Sequence, residues 1–177
     1  IFYGSRFIKL YIENNKVEKI TVLSDNIKDN NKDNQNFKEI NNSRLYNKRL
    51  YSFKSSKSNE IYWVWVECYD LHMYAVKFHL KRHRNSPNKY SVMTGLGEPR
   101  RIINTCVAIM LEIAKEDPRS SFGFIGSNME GEGICNTKRF RIYKILMLTY
   151  FSDRFFQHKT NYEKSAYLLI RKSELAN

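Results

Sequence analysis

Residues 60–70, EIYWVWVECYD, constrain the fold more than any other stretch of this 177-residue chain. Ile61, Trp63, Trp65 and Glu67 alternate with Val64 and Val66 at the two-residue period of a strand. A strand apolar on both faces needs cover on both, so it belongs near a sheet centre. Asp70–His72 turns the chain into a second alternating run, MYAVKFHLKRH (73–83). The turn NSPN (85–88) leads to a third, KYSVMTGLG (89–97). Three strands joined by short turns predict an antiparallel meander.

The period changes after Pro99. Ile102, Ile103, Cys106, Val107, Met110, Ile113 and Ala114 fall at helical spacing, with Asn104, Thr105, Glu112 and Lys115 on the other face. Pro99 suits the first helical position and Pro118 marks the stop. SSFGFIGS (120–127) reads as a short buried strand, followed by the loop NMEGEGIC (128–135). A second helix starts at the cap Asn136–Thr137 and carries Phe140, Tyr143, Met147, Tyr150 and Phe151 along one stripe. FFQHKTNYE (155–163) is irregular by pattern, and KSAYLLIRK (164–172) reads as a last strand.

Upstream, SRFIKLYIE and KVEKITVL alternate around Asn14–Asn15 and read as a hairpin. Residues 24–43 are nearly devoid of apolar groups and read as a long mobile loop. RLYNKRLYSF (44–53) then suits an edge strand. One α+β domain over residues 1–177 is expected: a mostly antiparallel sheet with two main helices, residues 1–59 forming a β-rich N-terminal part.

Composition sets the remaining bounds. With 42% hydrophobic and 14% aromatic residues, the chain is not of the disordered class. The three cysteines, Cys68, Cys106 and Cys135, show no CxxC spacing, so neither a disulfide framework nor a zinc site is indicated. Without a signal-peptide pattern or a membrane-spanning run, a cytoplasmic location is expected. The net charge of +12 suits an anionic partner or mere solubility.

The candidate sites follow from these elements. TGLGEPRRI (94–102) puts a glycine turn before a helix N-terminus, where backbone N–H groups can hold an anion. Arg100 and Arg101 oppose the usual preference for acids in a first turn, so a bound anion would account for them. A plain turn with solvated arginines is the simpler alternative. Lys138, Arg139, Arg141 and Lys144 form a basic band on the second helix, suited to phosphates or simply solvated. Glu67, a carboxylate within an apolar strand, is the general-base candidate. Glu130 and Glu132 could bind a cation, or merely belong to a solvated loop. His79 and His83, four residues apart on a strand, would stand about 13 Å apart, too far to share a metal.

The order β-β-β-α-β-α-β over residues 60–172 resembles the C-terminal half of the Gcn5-related N-acyltransferase (GNAT) family. That family holds acetyl-CoA on a pyrophosphate turn between the third of these strands and the helix. TGLGEPRRI sits at that place, so the resemblance implies that Gly95, Leu96, Gly97, Arg100 and Arg101 bind acetyl-CoA or another acyl-CoA. Asn136 and Tyr143 have the family's seven-residue spacing in NTKRFRIY. The resemblance therefore adds Asn136 to the cofactor site and makes Tyr143 the general acid, with Glu67 deprotonating an amine acceptor. Arg139 and Met147–Leu148 depart from the family's small residue and Gly-Phe. The family's first two helices have no counterpart before residue 60. The segments TKRFRIYK and SAYLLI also resemble a bacterial family. The chain is expected to be an acyl-CoA-dependent N-acyltransferase or a non-catalytic relative. The rival expectation is a basic module of a defence or regulatory complex, binding nucleic acid or an acidic protein through the band at 138–144. Neither reading calls for a metal or a membrane.

Overall fold

The computed structural model describes residues 7–12, 16–24, 45–92, 95–129 and 131–172. Strands β1 (Phe7–Ile12), β2 (Lys16–Ser24), β3 (Leu45–Lys54), β4 (Ile61–Tyr69) and β5 (Met73–Leu80) come first. Helix α1 (Pro99–Glu116), β6 (Ser121–Ile125), α2 (Lys138–Tyr150), β7 (Phe156–Asn161) and β8 (Ala166–Arg171) follow. The strands form one sheet in the order β1-β2-β3-β4-β5-β6-β8-β7. Every neighbouring pair is antiparallel except β5 and β6, which the α1 crossover joins in parallel. The fold is therefore α+β with a mostly antiparallel sheet.

β4 lies inside the sheet, between β3 and β5, as its two apolar faces require. Tyr62, Val64 and Val66 are buried on the side that joins the core cluster with α1, together with Tyr51 and Phe53 of β3. From α1, Ile102, Ile103, Cys106, Val107, Ile109, Met110 and Ile113 enter the same core. Burying one such side chain is worth about 1.5–3 kcal/mol, against tenths of a kcal/mol for helix propensity, so packing decides where α1 lies. The second half of the core joins Phe122 and Phe124 of β6, Tyr167 and Leu169 of β8, and Phe140, Met147 and Phe151. Phe124 and Tyr167 stack with centroids 5.2 Å apart.

Several expectations are corrected. Residues 89–92 and 95–97 form no strand: turns run from Lys81 to Ser91, and the meander is β3-β4-β5 instead. The order over 60–172 is β-β-α-β-α-β-β rather than the expected β-β-β-α-β-α-β. His83 accordingly lies in a 3-10 turn rather than on a strand. The segment thought irregular contains β7, an edge strand paired to β8 with Phe156 as its one fully buried residue. Tyr150 is exposed rather than part of the buried stripe. Asn104 and Thr105 are buried rather than on a solvent face, and α1 also packs against β1. The polar tract 24–43 lies, after Ser24, outside the described residues. Among the described residues, no helix is long and apolar enough to cross a membrane.

Candidate functional site

β5 and β6 pair only from Met73 to Ala75 and from Ser121 to Gly123. Beyond that point the two strands separate, and a cleft of about 960 Å³ opens between them. Its volume lies at the upper end of the small-molecule range. Val76 and Phe78 of β5, Cys106 and Met110 of α1, Phe124 of β6 and Met147 of α2 give it an apolar interior. Gly95, Gly97, His83, Lys138, Arg139 and Tyr143 also line it.

Local contacts fix the position of α2. The Thr137 hydroxyl caps the helix, accepting from the Phe140 N–H at 3.2 Å, and donates to the Gly126 carbonyl at 2.7 Å. Only glycine fits at 126, since a β-carbon there would stand 2.5 Å from the Phe140 nitrogen. This close approach carries Tyr143 to the cleft, its ring edge-on to Phe124 at 5.3 Å. Burial pushes the Tyr143 hydroxyl well above the ordinary phenol range.

The glycine turn is fastened from the β3–β4 loop. Gly95 (φ 65°) and Gly97 (φ 62°) hold left-handed backbone, and Lys57 donates to the Gly97 carbonyl at 2.9 Å. Arg101 reaches the Ser56 hydroxyl. The intervening Glu98 is buried and accepts from Ser55, from Ser58 at 2.6 Å and from Tyr62 at 2.9 Å. Desolvation pushes its pKa up, but these three hydroxyls and nearby Arg101 outweigh it and hold the carboxyl below its usual range. Arg101 is thus engaged by its own chain, which neither the anion reading nor the plain-turn reading expected. Leu96 packs against the core.

Arg139 spreads its guanidinium over the carbonyls of Tyr90 (2.9 Å), Ser91 (2.9 Å) and Val92 (3.3 Å). That clamp holds the segment before the glycine turn over α2, a different use from the surface band expected of it. Lys138 and Arg141 are exposed, and Lys144 bonds the Tyr162 hydroxyl. Asn136, in left-handed backbone (φ 47°), donates its N–H to the Tyr162 carbonyl at 2.8 Å.

Glu67 is buried outside the cleft lining, on the sheet face opposite α1. Lys77 at 2.9 Å and Lys48 at 3.4 Å neutralise it, and the Tyr69 hydroxyl donates to it at 2.8 Å. Of the residues expected at the site, the cleft lining gathers Gly95, Gly97, Tyr143, Lys138 and Arg139, and leaves out Glu67, Leu96, Arg100, Arg101, Asn136, Arg141 and Lys144.

Glu98 and Lys57 were missed by sequence reasoning, which weighed His83 only as a metal ligand. Glu98 sat unremarked inside the glycine–arginine stretch, and the serines of FKSSKS were the signal for its partners. Glu132 accepts the N–H groups of Met129 (3.0 Å) and Lys138 (2.7 Å), while Glu130 lies outside the described residues. Cys106 is buried and its thiol is pushed up to about 12 by desolvation, which suits packing and not nucleophilic attack. Among the described residues, no group of three or more His, Cys, Asp and Glu could hold a metal ion. Compared with known proteins, the chain matches no family model, no curated protein and no solved structure.

Proposed function

We propose that the chain is a GNAT-like domain whose cleft takes an acyl-CoA, as an N-acyltransferase or as a relative that keeps the crevice alone. The supporting observation is the divergence of β5 from β6 after Ala75 and Gly123, which opens an apolar cleft beside a glycine turn.

The residues present fit such a ligand. Gly95 has open space where a side chain would stand, so a pyrophosphate can approach its backbone. Pro99 contributes no N–H, so the donors come from the turn Gly95–Gly97, with the positive charge of Lys57 alongside. The Glu98 carboxylate is taken up by Ser55, Ser58 and Tyr62.

A bound acyl-CoA supplies a thioester carbonyl for attack by an amine. Tyr143, which lines the cleft, is the proton donor to the departing thiolate in this reading. Glu67 lies on the opposite sheet face, paired with Lys48 and Lys77, and has no direct path to an amine in the cleft.

Titration calorimetry with acetyl-CoA tests the reading. Binding to the native chain that is lost in Gly97→Trp supports it. No binding, or binding unchanged by that substitution, sinks it.

A further inference from the structure

We propose a second binding surface, centred on Trp63 and Trp65 on the sheet face opposite the helices and reaching the rim of the cleft at Lys77, His79, Lys89 and Tyr90: an aromatic and lysine platform that takes single-stranded nucleic acid. This site does not depend on the acyl-CoA reading.

The chain has two tryptophans, and both lie here. Trp63 and Trp65 point to the same face of β4, with ring centroids 6.4 Å apart and planes at 87°. His79, opposite Trp63 in the β4–β5 register, lies 6.0 Å from the Trp63 ring. Tyr90 continues the row 5.3 Å beyond His79. The row is held rigid: the Trp65 indole N–H donates to His79 Nε2 at 3.3 Å, and His79 Nδ1 pairs with the Leu80 carbonyl at 2.8 Å. His79 is buried, whereas Trp63, Trp65 and Tyr90 keep part of their rings in solvent.

Lysines surround these rings. Lys81 stands 5.8 Å from the Trp63 centroid, and Lys89 and Lys77 stand 5.3 Å and 6.0 Å from that of Tyr90. Exposed Lys54 lies opposite Ile61, two residues along β4 from Trp63 on the same face. Among the described residues, the carboxylates nearest the rings are neutralised, Glu67 by Lys48 and Lys77 and Glu60 by Arg82. The patch is therefore aromatic and net positive, within a chain of net charge +12.

That combination selects the ligand. Rings that keep part of their surface in water gain by stacking on flat π-systems, and lysines at their rim meet a polyanion. Duplexes hide their base faces, so only an unpaired strand can offer bases and phosphates together.

Tryptophan fluorescence reads this surface alone, because the chain has no other tryptophan. We would titrate it with short uridine and thymidine homopolymers and with a duplex, at several salt concentrations. The platform predicts quenching by the single strands, weakened by salt, with a much smaller response to the duplex. The double variant Lys81→Glu, Lys89→Glu should bind about tenfold more weakly, with a salt slope shallower by about 0.7 for each lost phosphate contact. Trp63→Leu should also lose about tenfold. Lys138→Glu with Arg141→Glu, on α2, should bind as the native chain does. Lys81 is exposed, Lys89 is partly so and neither belongs to the core, so the test does not hang on the folding of the tryptophan variant. The proposal is overturned by fluorescence unmoved by either single strand, by equal affinity for the duplex, or by loss in the α2 variant with none in the Lys81, Lys89 variant.

Discussion

The Thr137 hydroxyl donates to the Gly126 carbonyl at 2.7 Å, tying the first turn of α2 to the chain just past β6. Gly126 has no β-carbon to interpose, since one would stand 2.5 Å from the Phe140 nitrogen. Tyr143 follows one turn later on the same helix. Its place in the cleft therefore depends on a contact that a single methyl group would break.

Gly126→Ala forces strand and helix apart and is expected to cost about 1–3 kcal/mol. Thr137→Val removes the cap and the carbonyl bond and is expected to cost about 1–2 kcal/mol. Urea unfolding measures both, and an unchanged midpoint in Gly126→Ala contradicts the close approach.

Glu98 gives the fold a signature in acid. Its folded pKa lies below the ordinary carboxylate value of 4.5, so its stabilising contribution is complete above that value. It is lost as pH falls through the lower folded value. Melting temperatures of the native chain and Glu98→Gln should therefore differ most near neutrality and converge in acid. A gap that stays constant over this range contradicts the hydrogen-bonded carboxylate.

Arg139 should act locally. Arg139→Met frees the carbonyls of Tyr90, Ser91 and Val92, and amide exchange should quicken over 87–92 more than in β4 or α1. Arg139→Lys should not rescue it, because an ammonium cannot present the same planar fork to three carbonyls. Exchange that quickens uniformly, or full rescue by lysine, contradicts the clamp.

Burial patterns carried by neighbouring residues were legible in the sequence. The double alternation of β4 placed it inside the sheet, and Pro99 and Pro118 bracketed α1. The run 89–97 misled because Tyr90 and Val92 alternate like strand residues. What settles that segment is Arg139, far along the chain, taking the carbonyls a strand would have used. β7 was illegible for another reason: exposed Gln157, Lys159 and Thr160 hide the alternation on a sheet edge. At the site, Gly97 and Tyr143 could be read locally from a turn and a helix register. Glu98 could not, because the hydroxyls that bury it come from Ser55, Ser58 and Tyr62. Glu67 was placed on the correct strand, but its lysine partners come from β3 and β5.

The central claim is that the gap between β5 and β6 admits an acyl-CoA, and amide resonances mapped during an acetyl-CoA titration test it most directly. The account predicts shifts at Val76–Leu80, at Gly95 and Gly97, and in the turn of α2 around Tyr143, with β3 left unmoved. Spectra without shifts at saturating acetyl-CoA, or shifts confined to residues outside the cleft, would contradict it.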